Sequence, residues 1–366
     1  MEESPKKSAL EEMKGIPQPP MVNPYMDSAP REALKRLSCD ECIEGISMGD
    51  RTILSRAITL IESSHPRDRE NAARIVEACR ERAGQCKTMR IGITGVPGAG
   101  KSTFIESLGN IAISAGHSLA VLAVDPSSEI SRGSILGDKT RMETLANNPK
   151  AFIRPSPSTG SLGGVARKTR ETILLCEAAG FDTVFIETVG VGQSETAVHS
   201  MCDFFLLLLL SGAGDGLQGI KRGIMEMSDM ISVNKADGDN IENAEIACRQ
   251  YDEALKLFPP TGSGWTPAAV TSSALTGAGL NEIWDKIMGY FSLVKSNGFY
   301  DRRRREQALY WMHESINESL KDNFYENAAI SAMLPKCEKE VLEGRKGSFE
   351  AAEELLELYR KPESAK

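Results

Sequence analysis

The chain has 366 residues, with 43 Lys and Arg against 51 Asp and Glu for a net charge of −8 and a hydrophobic content of 41%. That length suits one domain of about 200 residues plus smaller additions, and the acidic balance argues against a general nucleic-acid or membrane binder. The most apolar run, Phe204–Leu210, is far shorter than the ~20 residues a membrane span needs.

Residues 1–30 hold Pro17, Pro19, Pro20, Pro24 and Pro30 among polar groups and read as a flexible arm. The start, Met1 to Lys7, leads into acidic and proline-rich sequence. It is neither a secretory signal nor an Arg-rich, acid-poor presequence, so a cytoplasmic location is expected. Residues 31–87 read as a helical N-terminal subdomain. Arg31–Ser47, Asp50–Ser63 and Pro66–Ala83 repeat apolar residues at three- and four-residue spacing, best in Ile53, Leu54, Ala57, Leu60 and Ile61, with Asp50 as an N-cap. Cys39 and Cys42 form a lone C-x-x-C, which reads as two thiols on successive helical turns. The eight scattered cysteines suit a reducing compartment.

Over residues 88–297 strands alternate with helices. Strands are expected at Met89–Thr94, Ser118–Asp125, Phe152–Ile153, Thr183–Thr188, Phe204–Leu210, Met230–Asn234 and Ala268–Thr271. Helices are expected at Phe104–Ala115 and near 138–147, 164–179, 193–201, 216–228, 240–257 and 279–292. The fold class is therefore α/β, a mostly parallel sheet flanked by helices. Residues 298–366 are helical again. The basic run Arg302–Arg305, read as a solvated cluster, opens a helix through Leu320, and further helices cover 325–344 and 348–360. The stripe Leu309, Met312, Ile316 and Leu320 leaves two readings open, packing on the core or a projecting dimerisation arm.

The first strand runs into Gly95-Val96-Pro97-Gly98-Ala99-Gly100-Lys101-Ser102-Thr103, which fits G-x-x-x-x-G-K-[ST] without deviation. A strand, a glycine loop and a helix N-terminus aim backbone N–H groups and the positive helix end at one anion. Lys101 is expected at the β- and γ-phosphates, and the Ser102 hydroxyl on Mg²⁺. Asn234-Lys235-Ala236-Asp237 fits the guanine-recognition pattern Asn-Lys-x-Asp. Asp237 would accept from the ring N1–H and the 2-amino group of guanine, donors that adenine lacks, so GTP is preferred over ATP. Ser272-Ser273-Ala274-Leu275 follows the last strand, where the Ala274 N–H is expected at guanine O6.

Asp125, Asp138 and Glu187 are the candidate metal acids beside Ser102, directly or through water. Glu187-Thr188-Val189-Gly190 stands where most GTPases carry the γ-phosphate-sensing Asp-x-x-Gly. Val191 occupies the place of the water-orienting Gln of Ras-like enzymes, and Gln193 is the candidate substitute. Slow hydrolysis by the isolated protein is expected, since positioning and charge stabilisation are most of this catalysis. Two glycine-rich stretches, Pro126–Gly137 and Gly212–Gly223, read either as moving parts or as plain loops. Within the second, Asp215, Gln218, Lys221 and Arg222 can answer a phosphate or a partner, and Lys221 is the catalytic candidate among them. His65, His117, His199 and His313 stand apart and read as ordinary core or surface residues, because metal ligands cluster.

These motifs, together with Asp125-Pro126-Ser127-Ser128, the Gly133–Met142 stretch, the Glu187–Glu195 stretch and Gly214–Lys221, resemble the MeaB-type GTPases over about residues 35–345. That family, also named ArgK, includes the methylmalonic aciduria type A proteins and serves as chaperone of methylmalonyl-CoA mutase. The resemblance implies a P-loop GTPase that forms a homodimer through its C-terminal helices and coordinates Mg²⁺ with Ser102, Asp125, Asp138 and Glu187. Its segment matching Gly212–Arg222 couples the nucleotide site to the mutase. The implied task is to use GTP to gate adenosylcobalamin loading from an adenosyltransferase into the mutase and to release inactivated cofactor. The chain has no Asp-x-His-x-x-Gly, so no tightly bound cobalamin is expected. For a eukaryotic chain the resemblance implies the mitochondrial matrix. Two alternatives have other chemistry. An ATP-dependent transport-linked kinase is disfavoured by Asp237, and a nickel metallochaperone GTPase by the lack of a His- or Cys-rich tract.

Overall fold

Strands of four to seven residues without polar alternation, such as Phe204–Leu210, are satisfied only between two layers of helices. The computed structural model describes residues 37–63, 65–124, 142–155, 162–188, 194–212 and 222–360. The chain divides into two units, Met1–Ser38 and Cys39–Lys366, and all but the last two residues of the first lie outside the described ones. In the second unit, β1 (Met89–Gly95), β2 (Leu119–Val124), β3 (Ala151–Arg154), β4 (Thr183–Thr188), β5 (Phe204–Leu210), β6 (Met230–Asn234) and β7 (Ala268–Thr271) form one seven-stranded sheet. Its order is β3-β2-β4-β1-β5-β6-β7, and every pairing is parallel. Ile93 lies opposite Glu187, Gly95 opposite Leu208 and Leu210 opposite Asn234, so these strand ends share one edge of the sheet. In such sheets ligands bind at the carboxyl edge.

The helices are α1 (Cys39–Ser47), α2 (Arg51–Glu62), α3 (Pro66–Ala83), α4 (Lys101–Ser114), α5 (Glu143–Ala146), α6 (Leu162–Ala178), α7 (Ser194–His199), α8 (Arg222–Glu226), α9 (Ile241–Leu255), α10 (Leu280–Ser296), α11 (Phe299–Glu326), α12 (Ala328–Leu342) and α13 (Ser348–Arg360). Alternation along β5 divides the core. Leu206 and Leu208 join Phe104, Leu108, Ile283 and Ile287 of α4 and α10, whereas Leu207 and Leu209 join Tyr251 and Leu255 of α9. Each fully buried Leu contributes about 1.5–3 kcal/mol, which makes the leucine strand the anchor of both layers.

At the N-terminal side, α2 and α3 pack on α6. The Asp50 carboxylate accepts from the Thr52 and Ile53 N–H groups at 2.8 and 3.0 Å, the N-cap that the sequence leads one to expect. Helix α1 begins at Cys39 after the non-helical Leu37 and Ser38, and the rest of the expected stretch, residues 31–36, lies outside the described ones. Cys39 and Cys42 are buried free thiols on its successive turns.

The C-terminal helices differ from expectation in two ways. First, α11 starts at Phe299 and runs to Glu326, because Tyr300 anchors its first turn: the side chain is buried and its hydroxyl donates to Thr88 O at 2.7 Å. Second, the arginine run is not simply solvated. Arg304 Nη2 lies 2.7 Å from Asp203 Oδ2 and Nη1 lies 3.3 Å from Glu177 Oε1, beside the bidentate pair of Arg90 with Glu177 at 2.7 and 2.8 Å. Helices α12 and α13 form a hairpin around Ile330, Cys337, Ala351 and Leu355. Among the described residues no helix is long and apolar enough to cross a membrane.

Candidate nucleotide site

The loop from β1 to α4 depends on glycine at two points. A Cβ on Gly95 would lie 2.4 Å from Leu208 O, so the strand end approaches β5 more closely than any side chain allows. Gly100 has φ +83° at the N-cap of α4, a conformation that glycine adopts at little cost, and a Cβ there would lie 3.2 Å from Asn234 Nδ2. The Ala99 N–H closes the loop on Val96 O at 3.1 Å. Pro97 and Gly98 are exposed at its tip, and Ser102 is half-buried on the first turn of α4 with Thr103 exposed beside it. The first N–H groups of a helix have no partner within it and carry its positive end, so α4 presents an anion site to this loop.

Lys101 folds over the same loop, its ammonium donating to Gly95 O at 2.8 Å and to Val96 O at 3.4 Å. Burial pushes its pKa down, and the carboxylates of Glu187 and Glu195 act in the opposite direction. Glu187 is buried at the end of β4, whose Thr188 hydroxyl donates to Thr94 Oγ1 of β1 at 2.8 Å. Glu195, buried on the first turn of α7, was not singled out by sequence as a site residue. Its only signal was membership of the Glu187–Glu195 stretch, because the fold, not the spacing, brings its charge to bear on Lys101. Asp125, Asp138, Gln193 and Lys221 lie outside the described residues, as do residues 126–137 and most of the second glycine-rich segment. Among the described residues no group of three or more His, Cys, Asp or Glu side chains could hold a metal ion. The Ser102 hydroxyl and the Glu187 carboxylate are hard oxygen donors of the kind Mg²⁺ takes.

The other end of the site is built on Asn234, which is 1% exposed. Its Nδ2 donates to Ala99 O at 2.7 Å, and its Oδ1 accepts from the Ala274 N–H at 3.0 Å and from Ser272 Oγ at 3.3 Å. One side chain thus ties the glycine loop, β6 and the segment after β7 together. Lys235 follows at φ +61°, uncommon for a residue with a Cβ, and its carbonyl is held by Asn240 Nδ2 at 2.7 Å. The Asp237 carboxylate accepts a hydrogen bond from Ser273 Oγ, which also accepts from the Thr276 N–H at 3.1 Å. Ser107 of α4 donates to Ala274 O at 2.8 Å. Leu275 is 83% exposed at the rim. In one respect the geometry departs from expectation. The Ala274 N–H, assigned from sequence to guanine O6, here donates to Asn234 Oδ1 and would have to exchange or share that bond.

Comparisons with known proteins identify similar chains. The profile described as "Methylmalonyl Co-A mutase-associated GTPase MeaB" matches residues 54–329. The chain is 46% identical over 287 residues to "GTPase ArgK" of Escherichia coli, covering 78% of this chain and 86% of that protein. It is 44% identical over 329 residues to "Methylmalonic aciduria type A homolog, mitochondrial" of Mus musculus, covering 88% and 79%. Among solved structures, "Crystal structure of LAO/AO transport system kinase" matches with a TM-score of 0.68 and 36% identity over 88% of this chain and 98% of that one.

Proposed function

The chain belongs to the MeaB family of methylmalonyl-CoA mutase-associated GTPases, and from that membership we propose that it uses GTP to act on an adenosylcobalamin-dependent mutase. The protein is a P-loop GTPase. In the proposed role it binds methylmalonyl-CoA mutase, gates loading of adenosylcobalamin from an adenosyltransferase, and releases inactivated cofactor without holding cobalamin tightly itself. The observation that carries the nucleotide reading is the Asn234 tie, which joins the glycine loop to the Asp237 and Ser273 end of the site.

The residue roles follow from chemistry. The N–H groups of Gly95–Thr103 and the Lys101 ammonium hold the phosphates, and Asp237 accepts the two guanine donors, while Ser273 holds Asp237 in place and Leu275 covers the rim. Mg²⁺, held by Ser102 and Glu187 with Asp125 and Asp138, would supply charge neutralisation at the phosphates. Gln193 orients the attacking water and Lys221 answers the charge that develops on the γ-phosphoryl. Residues 88–297 form the GTPase domain between the helical segments 31–87 and 298–366. The stripe Leu309, Met312, Ile316 and Leu320, between 48 and 57% exposed, is proposed to pair α11 with a second copy of the chain.

Two measurements test this reading. Lys101→Ala is expected to lower the GTP hydrolysis rate by about 10²–10³-fold, the size of losing one preorganised charge donor, with the far-UV spectrum unchanged. Wild-type hydrolysis, read with GTP and ATP side by side, is expected to be slow for GTP, below about 1 s⁻¹, absent for ATP, and markedly raised by purified methylmalonyl-CoA mutase. Equal use of ATP would overturn the reading of Asp237. A GTP-only rate indifferent to the mutase would retain the GTPase and refute the client.

A further inference from the structure

Helix α7 lies in the crossover from β4 to β5 and packs on β1, the strand that leads into the glycine loop: a Cβ on Gly92 would lie 3.0 Å from Val198 Cγ1. It begins at Ser194, beyond the carboxyl end of β4, and ends at His199, just before β5 starts at Phe204. Its first turn carries the buried Glu195, whose charge acts on Lys101. Its far end is held by one face of α11. The Arg303 guanidinium lies 3.2 Å from His199 Nε2, Gln307 Nε2 donates to Cys202 O at 2.7 Å, and Trp311 Nε1 donates to Ser200 O at 3.0 Å. Arg303, Gln307 and Trp311 recur every four residues, so they are neighbours along one helical stripe. Gln307 and Trp311 supply donors to carbonyls just past the end of α7, where a helix leaves such groups unsatisfied.

The contact at His199 joins a cation to a neutral ring. Burial, reinforced by Arg303, pushes the His199 pKa down to about 4, so its neutral ring can accept from the guanidinium at pH 7. A cavity of about 270 Å³ opens beside the stripe, lined by His199, Ser200, Arg303, Gln307 and Tyr310 among others. Trp311 has the Arg90 and Arg170 guanidinium groups over its ring at 5.3 and 5.8 Å.

We propose that Arg303, Gln307 and Trp311 are positioning residues for GTP hydrolysis, a ladder through which α11 sets α7 against β1, the strand that runs into the glycine loop and Lys101. Whatever displaces α11 changes hydrolysis, and a ladder that responds to GDP against GTP must, by linkage, alter the affinity for GDP relative to GTP. The inference rests on the phosphate role proposed for Lys101.

The test begins with the wild-type chain. Backbone hydrogen exchange is compared with GDP and with a non-hydrolysable GTP analogue bound. Residues 194–202 and 303–311 are expected to change protection together, and unchanged protection in either segment would overturn the proposal. Gln307→Leu and Trp311→Phe are expected to change kcat by about 2- to 30-fold with KM for GTP within about twofold, the signature of positioning rather than binding. Arg303→Lys is expected to retain more of the rate than Arg303→Leu. Folded variants with wild-type kcat would refute the ladder. Lys101→Ala separates the two readings: loss of hydrolysis there with intact ladder variants refutes the ladder alone, whereas retained hydrolysis refutes the phosphate role beneath it.

Discussion

Asp237→Asn is expected to weaken GTP binding by about 10²–10⁴-fold while improving binding of xanthosine triphosphate. Guanine offers two donors, N1–H and the 2-amino group, to a carboxylate that only accepts. An amide in its place loses one acceptor and sets its own NH₂ against the 2-amino group. A hydrogen bond to a charged group is worth about 1.5–3 kcal/mol and a buried donor left unsatisfied costs about 1–3 kcal/mol more, together about 2.5–6 kcal/mol, which is the affinity range stated. Xanthine carries a carbonyl where guanine has the amine, and the same amide then pairs with it as donor and with N1–H as acceptor. The scaffold tolerates the change, because the Ser273 hydroxyl that donates to Asp237 can accept as well as donate. Calorimetric titration with both nucleotides reads the result. Unchanged GTP affinity would remove Asp237 from the base-binding site.

Glu177→Ala is expected to lower the stability of the folded chain by about 3–5 kcal/mol, the cost of breaking a buried ion pair by removing one partner. The Arg90 side chain is 5% exposed and that of Glu177 2%. With Glu177 gone, Arg304 retains Asp203, but the Arg90 guanidinium keeps no carboxylate partner among the described residues. Burial alone would raise the Glu177 pKa. The Arg90 guanidinium outweighs it, with Arg304 and Thr88 adding to the effect, and holds the carboxyl at about 2, against 4.5 ordinarily. A carboxyl whose folded pKa lies below its unfolded value contributes stability that is complete above about pH 4.5 and is lost as the pH falls towards about 2. Urea unfolding across that window is therefore expected to show a shallower acid slope in the variant than in the wild type. Pairing the change with an apolar residue, as Arg90→Met with Glu177→Leu, is expected to recover much of the loss. Failure of the single variant to destabilise would show that the Arg90 charge is not left uncompensated without Glu177.

Much of this protein was determined by local sequence. The glycines of Gly95–Gly100 admit conformations and approaches that other residues do not. Asp50 caps α2 through its own neighbours. The uninterrupted apolar run of β5 has to lie inside a parallel sheet whatever surrounds it. Such features depend on residues within one turn or one strand, so a pattern of residue types suffices to read them. The nucleotide motifs belong to the same class, since each of them is contiguous.

Other features arise only when distant segments meet. Arg302–Arg305 carries no mark of which guanidinium turns inward. Arg303 and Arg304 are drawn in by groups on other elements, His199 on α7 for one and Asp203 and Glu177 at the start of β5 and on α6 for the other. Glu195 becomes part of the Lys101 environment because α7 follows β4 back along the sheet. The Ala274 N–H found Asn234, forty residues away, as its acceptor. A buried charge or donor must be matched by a partner, and the sequence announces that need without naming the partner. Only the tertiary fold, by fixing which chain ends lie against which, makes that choice.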